Sequence, residues 1–237
     1  MAEKIATATL VDVETNEIVE KAKGFWAKFS KPIIYVGTAV ILVVGGWLAY
    51  KNFVAKPNEE KAAELIFPAE KLFGKMAQQG FNKDSINLVL NGGNGIATGV
   101  LKIANSYGGT TSGNRAHFIA GACYLHSNDF NNAIKHLKDF STDATQIQTA
   151  AYLMLGDAFS ELKKNDDAYS YYKKAAGYNT KDEFMTSEAL FKSALFAESI
   201  GKSEDAISAF QKLKEAYPKS SHVNDVDKYL ARLGVIK

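Results

Sequence analysis

The sequence predicts an all-α protein in which a single apolar helix precedes a solenoid of stacked helical hairpins. The first observation behind this prediction is a repeat: three small residues recur at spacings of 35 and 38 residues. Twelve residues after each of them lies an alanine, and four residues further lies a bulky side chain. The second observation is an uncharged run of nineteen residues upstream of the repeats. The repeated positions are Gly121, Ala133 and Leu137; Gly156, Ala168 and Tyr172; and Ala194, Ala206 and Phe210.

The repeated small residues indicate pairs of closely packed helices. A small residue on each of two helices lets their backbones approach, and the bulky residue fills the space toward the next pair. One hairpin cannot bury its apolar face alone, whereas stacked hairpins bury a continuous core. We therefore expect three repeats over residues 114–220, with an exposed groove that can bind other chains.

The uncharged run extends from Pro32 to Tyr50 and reads PIIYVGTAVILVVGGWLAY, with Lys31 and Lys51 at its borders. At about 1.5 Å of rise per residue, a helix of this length crosses a hydrocarbon core of about 30 Å with little tilt. A buried core helix is the alternative, but this run is apolar on every face and carries Trp and Tyr near its ends, as membrane helices do. We predict a transmembrane helix over residues 32–50.

The residues that flank the run indicate an uncleaved anchor and its orientation. The polar region before it is much longer than the n-region of a signal peptide, and no A-x-A cleavage site follows it. Four lysines lie in the eleven residues just before the run and three in the eleven residues just after it, where acidic residues also begin. This bias favours an N-terminus in the cytoplasm and a C-terminal domain outside it, in the periplasm if the cell has one. The lysines are Lys21, Lys23, Lys28 and Lys31 before the run, and Lys51, Lys56 and Lys61 after it.

Residues 1–31 form the predicted cytoplasmic tail, and its second half has helical periodicity. Apolar residues follow one helical face, with Trp26 adjacent and lysines opposite. Aromatic and basic residues beside a span suit a helix that lies in the interface of the lipid bilayer. Docking to a cytoplasmic partner is the alternative. After the span, residues 51–58 are expected to form a short linker. The apolar face consists of Ile18, Ala22, Phe25 and Phe29.

Residues 59–113 are predicted to form a degenerate first repeat. Helical periodicity runs up to Gly80, which suits a C-terminal cap, while Pro68 marks a kink or a boundary within that helix. The glycine-rich run from Asn91 to Gly95 predicts a loop, and a second helix is expected over residues 96–107. The loop fits neither phosphate-binding fingerprint, since no strand precedes it and no G-K-[ST] follows.

Three segments resemble tetratricopeptide repeats (TPR). They read GNRAHFIAGACYLHSNDFNNAIKHLKDF, AYLMLGDAFSELKKNDDAYSYYKKAA and EALFKSALFAESIGKSEDAISAFQKLKEAYPKSS, with the terminal proline of the motif present as Pro218. The opening tryptophan of the motif is replaced by His117, Tyr152 and Leu190. The segment HVNDVDKYLARLG, within residues 221–237, resembles the capping helix of such arrays. The resemblance implies a TPR α-solenoid.

In TPR arrays the first helix of each pair lines the concave groove, which implies a set of partner-binding positions here. Families that grip a C-terminal carboxylate use Lys and Asn at set groove positions, and here only Lys192 conforms. Extended apolar segments or a partner's helix are therefore better candidates. The alternative is that Phe118, Leu153 and Phe191 merely pack between repeats. The groove positions include Arg115, Phe118, Ala122, Ala150, Leu153, Asp157, Glu161, Glu188, Phe191, Leu195 and Glu198.

The sequence indicates neither a catalytic site nor a metal or cofactor site. His117, His126, His136 and Cys123 cluster in the sequence, but zinc needs three or four ligands, and neither C-x-x-C nor H-E-x-x-H occurs. No nucleophile is paired with a recognisable base motif. The net charge of +2 and the interspersed acids and lysines argue against nucleic acid as a partner. We predict a binding protein and not an enzyme.

One lysine-flanked span followed by a degenerate TPR domain resembles the layout of the YfgM-like ancillary subunits of the bacterial Sec translocon. The resemblance implies a location in the bacterial inner membrane with a periplasmic C-terminal domain. It also implies association with SecYEG and with a membrane-anchored periplasmic prolyl isomerase, and a role in handling polypeptides that emerge from the membrane. Gly45 and Ala49 form a small-xxx-small pair through which the span can contact another helix. A structural scaffold of the cell envelope, in division, cell-wall synthesis or secretion, is the alternative.

Overall fold

The computed structural model describes the backbone of residues 2–236 and the side chains of residues 19–32 and 34–236. Over this range the chain is helical apart from turns, loops and one isolated β-bridge, between Gly93 and Ile96. The predicted all-α class is confirmed. The chain divides into two compact units, Met1–Pro57 and Asn58–Lys237.

The first unit consists of helix α1, Ala2–Tyr50, and a π-helical turn, Lys51–Ala55. α1 begins earlier than the periodicity predicts, because residues 2–23 contain neither glycine nor proline to stop a helix. On the predicted amphipathic face, the side chain of Ile18 lies outside the described residues. The rings of Phe25 and Phe29 lie 4.8 Å apart.

One helical stretch, Ile34–Gln79, is long and apolar enough to cross a membrane by its length and composition. The side chains of residues 34–50 are all exposed. The linker expected over residues 51–58 is helical instead: the π-helical turn leads directly into α2, which begins at Lys56. Pro57 lacks the N–H that an α-helix would use, and the change from α to π hydrogen bonding falls in the turn just before it.

The second unit opens with three helices: α2, Lys56–Gln79; α3, Lys83–Asn91; and α4, Val100–Ser106. Pro68 lies inside α2 and does not end it. The helix ends before Gly80, whose φ of 100° suits glycine and whose N–H donates to the carbonyl of Met76 at 2.8 Å.

The helix expected over residues 96–107 begins later than the periodicity predicts, at Val100. Gly93 and Ile96 exchange backbone hydrogen bonds of 2.8 Å, so the backbone of Ile96 is used in a tight turn before the helix starts. Gly92, Gly93 and Gly95 adopt positive φ values in this turn, as the predicted loop requires. Ile96 is nevertheless buried, which explains why it fits the helical apolar pattern.

Three helical hairpins follow, and helix α11 closes the chain. Each hairpin has a longer first helix and a shorter second helix, joined by a short turn, and successive elements pack against each other along the chain. The hairpins are α5, Thr111–His126, with α6, Phe130–Asp139; α7, Thr145–Glu161, with α8, Asn165–Tyr178; and α9, Glu183–Ser199, with α10, Ser203–Ala216. Helix α11 is Val223–Arg232.

The repeated small residues lie where the two helices of a hairpin meet. A Cβ atom added to Gly121 would come within 2.6 Å of the Leu137 side chain, and one added to Gly156 would come within 2.6 Å of the Tyr172 ring. Both distances are shorter than van der Waals contact, so only glycine fits at these two positions. The spacing of small and bulky residues in the sequence thus corresponds to a direct contact between paired helices.

Two apolar clusters form the core of the second unit. One is built from α2 to α5 and includes Ile66, Ile103 and Cys123. The other extends from α6 to α11 and includes Phe210 and Leu213. Phe118 on α5 packs against both clusters and so joins the opening helices to the repeats.

Replacing Gly156 with alanine is expected to destabilise the protein by about 1–3 kcal/mol. The added methyl group would overlap the Tyr172 ring, which is buried and hydrogen-bonded to Asp157 at 2.7 Å and so cannot move aside freely. Thermal unfolding of the full chain in detergent, followed by circular dichroism, would measure the effect.

Gly74 supplies the matched control. It lies in the middle of α2, it is exposed, and a Cβ there would have no neighbour within 4 Å. Gly74→Ala should therefore stabilise the protein by about 0.5–1 kcal/mol through helix propensity alone. Equal melting temperatures for the two variants would mean that the helix contact at Gly156 is wrongly placed.

Candidate partner-binding groove

An apolar pocket of about 580 Å³ opens where the opening helices meet the first two hairpins. Three of the groove positions implied by the sequence, Arg115, Phe118 and Ala150, line it. Its other lining residues come from α2, α5, the end of α6, the connection between α6 and α7, α7 and α9. They are Glu70, Phe73, Thr111, Asn114, Ile119, Phe140, Thr142, Ala144, Gln146, Ile147 and Met185.

The interior of the pocket is apolar, and its edge is accessible. Ile119 and Phe140 are 4% and 5% exposed, whereas Ile147 is 45% exposed. The rings of Phe118 and Phe140 lie 5.1 Å apart and support each other. The pocket therefore offers a fixed apolar interior beside an exposed isoleucine, as sites for apolar ligand groups do.

Glu59, in the first turns of α2, anchors α2 to the N-terminus of α5. Its carboxylate accepts hydrogen bonds from the backbone N–H of Thr111 at 2.5 Å and from the N–H and hydroxyl of Ser112 at 3.1 and 2.7 Å. Burial alone would raise the pKa of this carboxyl, but the hydrogen bonds from Ser112 and Thr111 outweigh burial and lower the pKa. These bonds occupy donors that a helix leaves unpaired at its start.

The polar residues at the edge of the pocket pair with each other. Arg115 donates from Nε to Glu70 at 2.7 Å, which joins α5 to α2. The side chain of Asn114 makes two bonds to the backbone of Ser141: it donates to the carbonyl at 2.7 Å and accepts from the N–H at 3.1 Å. At the edge of the pocket, the charges of Arg115 and Glu70 therefore neutralise each other, and the Asn114 amide already has its hydrogen-bond partners within the protein.

In the middle of the implied groove, the side chains are buried or engaged. Ala122 and Leu153 are 3% and 7% exposed, so they belong to the core. Asp157 accepts from the hydroxyl of Tyr172 at 2.7 Å and from Lys192 Nζ at 3.2 Å. Burial, and then the neighbouring Asp157 carboxylate, raise the pKa of the Tyr172 phenol. Lys192, the one position that matched a carboxylate clamp, is therefore paired with an acid of the protein itself.

At the C-terminal end of the implied groove, α11 and the residue before it cover the positions on α9. Glu188 pairs with His222 Nε2 at 2.7 Å, and the Glu198 carboxylate accepts hydrogen bonds from Arg232 Nε at 2.6 Å and from Arg232 Nη2. The Phe191 ring stacks on His222 with a centroid distance of 4.3 Å and also contacts Tyr229. Leu195 packs, half-buried, against the cluster that spans α6 to α11, and Glu161 is exposed.

The profile of the tetratricopeptide repeat-like domain family matches residues 23–228 of this chain. The chain belongs to this family. No curated protein and no solved structure matches it. The three hairpins lie within the matched residues, and α2 to α4 precede them along the chain.

Several residues that line the apolar pocket were not found by reasoning from the sequence. Phe73 and Glu70 lie on α2, Phe140 and Ile147 flank the connection between α6 and α7, and Met185 lies near the start of α9. The groove positions were inferred from the motif alone, and the motif specifies neither an irregular opening unit nor the conformation of a connection. The apolar periodicity of α2 marks Phe73 as a face residue but does not say which helix that face meets.

Histidines 117 and 136 lie side by side between α5 and α6, away from the groove. Their Nδ1 atoms are 3.1 Å apart, and Asp139 Oδ2 lies 4.0 Å from His117 Nδ1. Among the residues with described side chains, no group of three or more His, Cys, Asp or Glu could hold a metal ion. Cys123 is buried, and burial raises the pKa of its thiol to about 12.

Burial lowers the pKa of both histidines. For His117, Asp139 opposes this shift and Lys135 adds to it. For His136, His117 and then Lys135 add to it, while Asp139 opposes it. Because a bond between two Nδ1 atoms needs one donor and one acceptor, the native pair cannot keep it when both rings carry a second proton. The Tyr124 ring stacks on His136 with a centroid distance of 5.6 Å.

The TPR domain is expected to lose stability as the pH falls below the ordinary histidine pKa of about 6.5. Because the pKa values of the two histidines are lower in the folded protein, the unfolded chain takes up protons first as the pH falls. The histidine pair therefore contributes its full share of stability above a pH of about 6.5, and this share is lost as the pH falls through the pKa values of the folded state. Melting temperatures of the full chain at pH 7.5 and 5.5 should differ by an amount on the order of a few °C. His136→Gln should reduce this difference, and an unchanged difference in the variant would show that the histidine pair does not cause it.

Proposed function

We propose that this protein is a membrane-anchored, periplasmic TPR adaptor that holds partner proteins or emerging polypeptides beside the Sec translocon. The single observation that carries the binding part of the proposal is the open apolar pocket between α2, α5 and α7. Elsewhere, most of the implied groove is filled by the protein's own side chains. TPR-like domains are protein interaction modules, and this pocket is an apolar opening in the domain, lined by helices α2, α5 and α7.

The apolar N-terminal helix supports the anchoring part of the proposal. Its side chains over residues 34–50 are exposed, including aliphatic residues such as Val40 and Leu42 at 55% and 70%. Exposed apolar surface of this extent requires a cover, and the hydrocarbon of a bilayer supplies one. Lys51 Nζ lies 5.0 Å from the ring centroid of Trp47, a pairing that suits the membrane interface.

Anchoring would let a weak groove act, because tethering raises the local concentration of binding site and partner to the order of millimolar. The sequence offers no nucleotide-binding motif, so release is passive in this proposal. A Cβ atom on Gly45 would meet nothing within 4 Å. The small pair Gly45 and Ala49 is therefore open to a partner's transmembrane helix.

The resemblance to YfgM-like subunits supports SecYEG and a periplasmic prolyl isomerase as the partners. A structural scaffold in division, cell-wall synthesis or secretion shares the anchor and the groove, and it differs only in what the groove contacts. The partner found at the pocket therefore separates the two proposals.

The orientation can be tested with reporters fused after residue 237. Because four lysines lie in the eleven residues before the span and three in the eleven after it, a periplasm-dependent alkaline phosphatase fusion should be active, and a cytoplasm-dependent fluorescent protein fusion should be dark. Replacing Lys21, Lys23, Lys28 and Lys31 with glutamine should reduce phosphatase activity. The reverse pattern in the native chain would place the TPR domain in the cytoplasm.

The groove can be tested by photo-crosslinking in living bacteria. A photoreactive amino acid in place of Ile147, at the edge of the pocket, should give crosslinks to translocon subunits, the isomerase or secreted chains. The same amino acid in place of Gln211, which is exposed on α10 outside the pocket, should give few. Crosslinks to division or cell-wall proteins would support the scaffold proposal, and equal products from both sites would remove the pocket from either one.

A further inference from the structure

We propose that the pocket accepts a short, extended segment that carries uncharged apolar side chains at alternate positions. This inference rests on the partner-binding role above and gives its ligand a definite chemistry. It excludes a charged peptide terminus, and it excludes a helix that lies along the whole concave face.

The accessible part of the groove is too short for a long helix. A helix that docks by its apolar face needs anchors at positions such as i, i+4 and i+7, spread over about two turns. Beyond Ala150 the groove offers little free apolar surface: Leu153 is buried, and Asp157 is bound to Tyr172 and Lys192. Further along, the side chains of α9 are taken by α11 and His222, as the Glu188 and Phe191 contacts show. The residues that line the opening come from α2, the first two hairpins and the start of α9.

The electrostatics of the pocket favour a neutral ligand. Glu70 and Arg115 neutralise each other at 2.7 Å, so a ligand carboxylate beside Arg115 would also face Glu70, and a cation beside Glu70 would also face Arg115. Behind this pair the walls are Phe73, Phe118 and Phe140. A charged group pushed into them would lose its hydration without gaining a partner.

The size of the pocket favours more than one side chain. A cavity of about 150 Å³ lined by apolar residues holds one benzene ring, and this pocket is several times larger at about 580 Å³. In an extended segment, residues i and i+2 point to the same side and lie about 6.6 Å apart. Two such side chains can enter one pocket together, while the residue between them points to solvent.

The test uses the full chain in lipid nanodiscs and a capped, fluorescein-labelled peptide of sequence Gly-Ser-Leu-Ser-Phe-Ser-Gly. Binding is read by fluorescence anisotropy, with empty nanodiscs subtracted. Replacing the Leu and Phe of the peptide with two Asp, or with two Lys, should weaken binding about tenfold or more. Leaving the peptide's C-terminal carboxylate free should change the affinity by less than about twofold, since Lys192 already has a partner.

Two variants, each with an exposed apolar side chain replaced by aspartate, locate the binding surface. Ile147→Asp puts a charge at the edge of the pocket and should weaken peptide binding about tenfold. Phe184→Asp makes the same change at a residue of α9 that is 76% exposed and does not line the pocket, and it should leave binding unchanged. Both positions are on the surface, so both variants should fold, which equal melting temperatures would verify.

Equal affinity for the apolar and the charged peptides, or equal loss in the two variants, would overturn the inference. So would a clear preference for a helical peptide with Leu and Phe at positions i and i+4. If Ile147 crosslinks to a partner in cells while the apolar peptide does not bind, the inference fails and the proposed adaptor function stands. If neither occurs, both fail.

Discussion

The close approach of paired helices at Gly121 and Gly156 is the constraint on which the rest of this structure depends. At these positions the facing Leu137 and Tyr172 side chains leave no room for even a methyl group. The contact fixes how α5 lies on α6 and how α7 lies on α8, and therefore which side chains of α5 and α7 face the groove. One apolar cluster extends from α6 to α11 and joins the successive hairpins.

The pocket arises where this regular packing begins. Within the array, each hairpin buries its apolar face against a similar hairpin. The first hairpin instead has α2 to α4 before it along the chain. α2 is held to α5 by the Glu59 carboxylate and by the Glu70 and Arg115 pair. These polar contacts fix the position of α2 at the margin while the apolar space behind them stays unfilled. At the other end, α11 contacts α9 through the Tyr229 ring and the Arg232 guanidinium.

Sequence reasoning predicted what is periodic in this protein and missed what is not. The small and bulky residues recur because successive hairpins pack in a similar way, so paired helices could be expected there, while the bounds of the individual repeats and the capping role of α11 stay predictions. The start of α4 was misplaced because a buried residue, Ile96, extends the helical pattern into a turn. The sequence did not show that α2 lines the pocket, because only the tertiary fold brings Phe73 to the same pocket as α5. The roles of the groove residues stay predictions.

The burial of Cys123 has a practical consequence for experiments on this chain. The sequence contains one cysteine, and its thiol is 0% exposed with a pKa raised to about 12. Maleimides and iodoacetamides react with the thiolate, and this thiol is both inaccessible and protonated at neutral pH. A cysteine introduced at the surface would therefore be labelled against almost no background. Paired spin labels or fluorophores could then report distances in the otherwise native protein, within its own membrane.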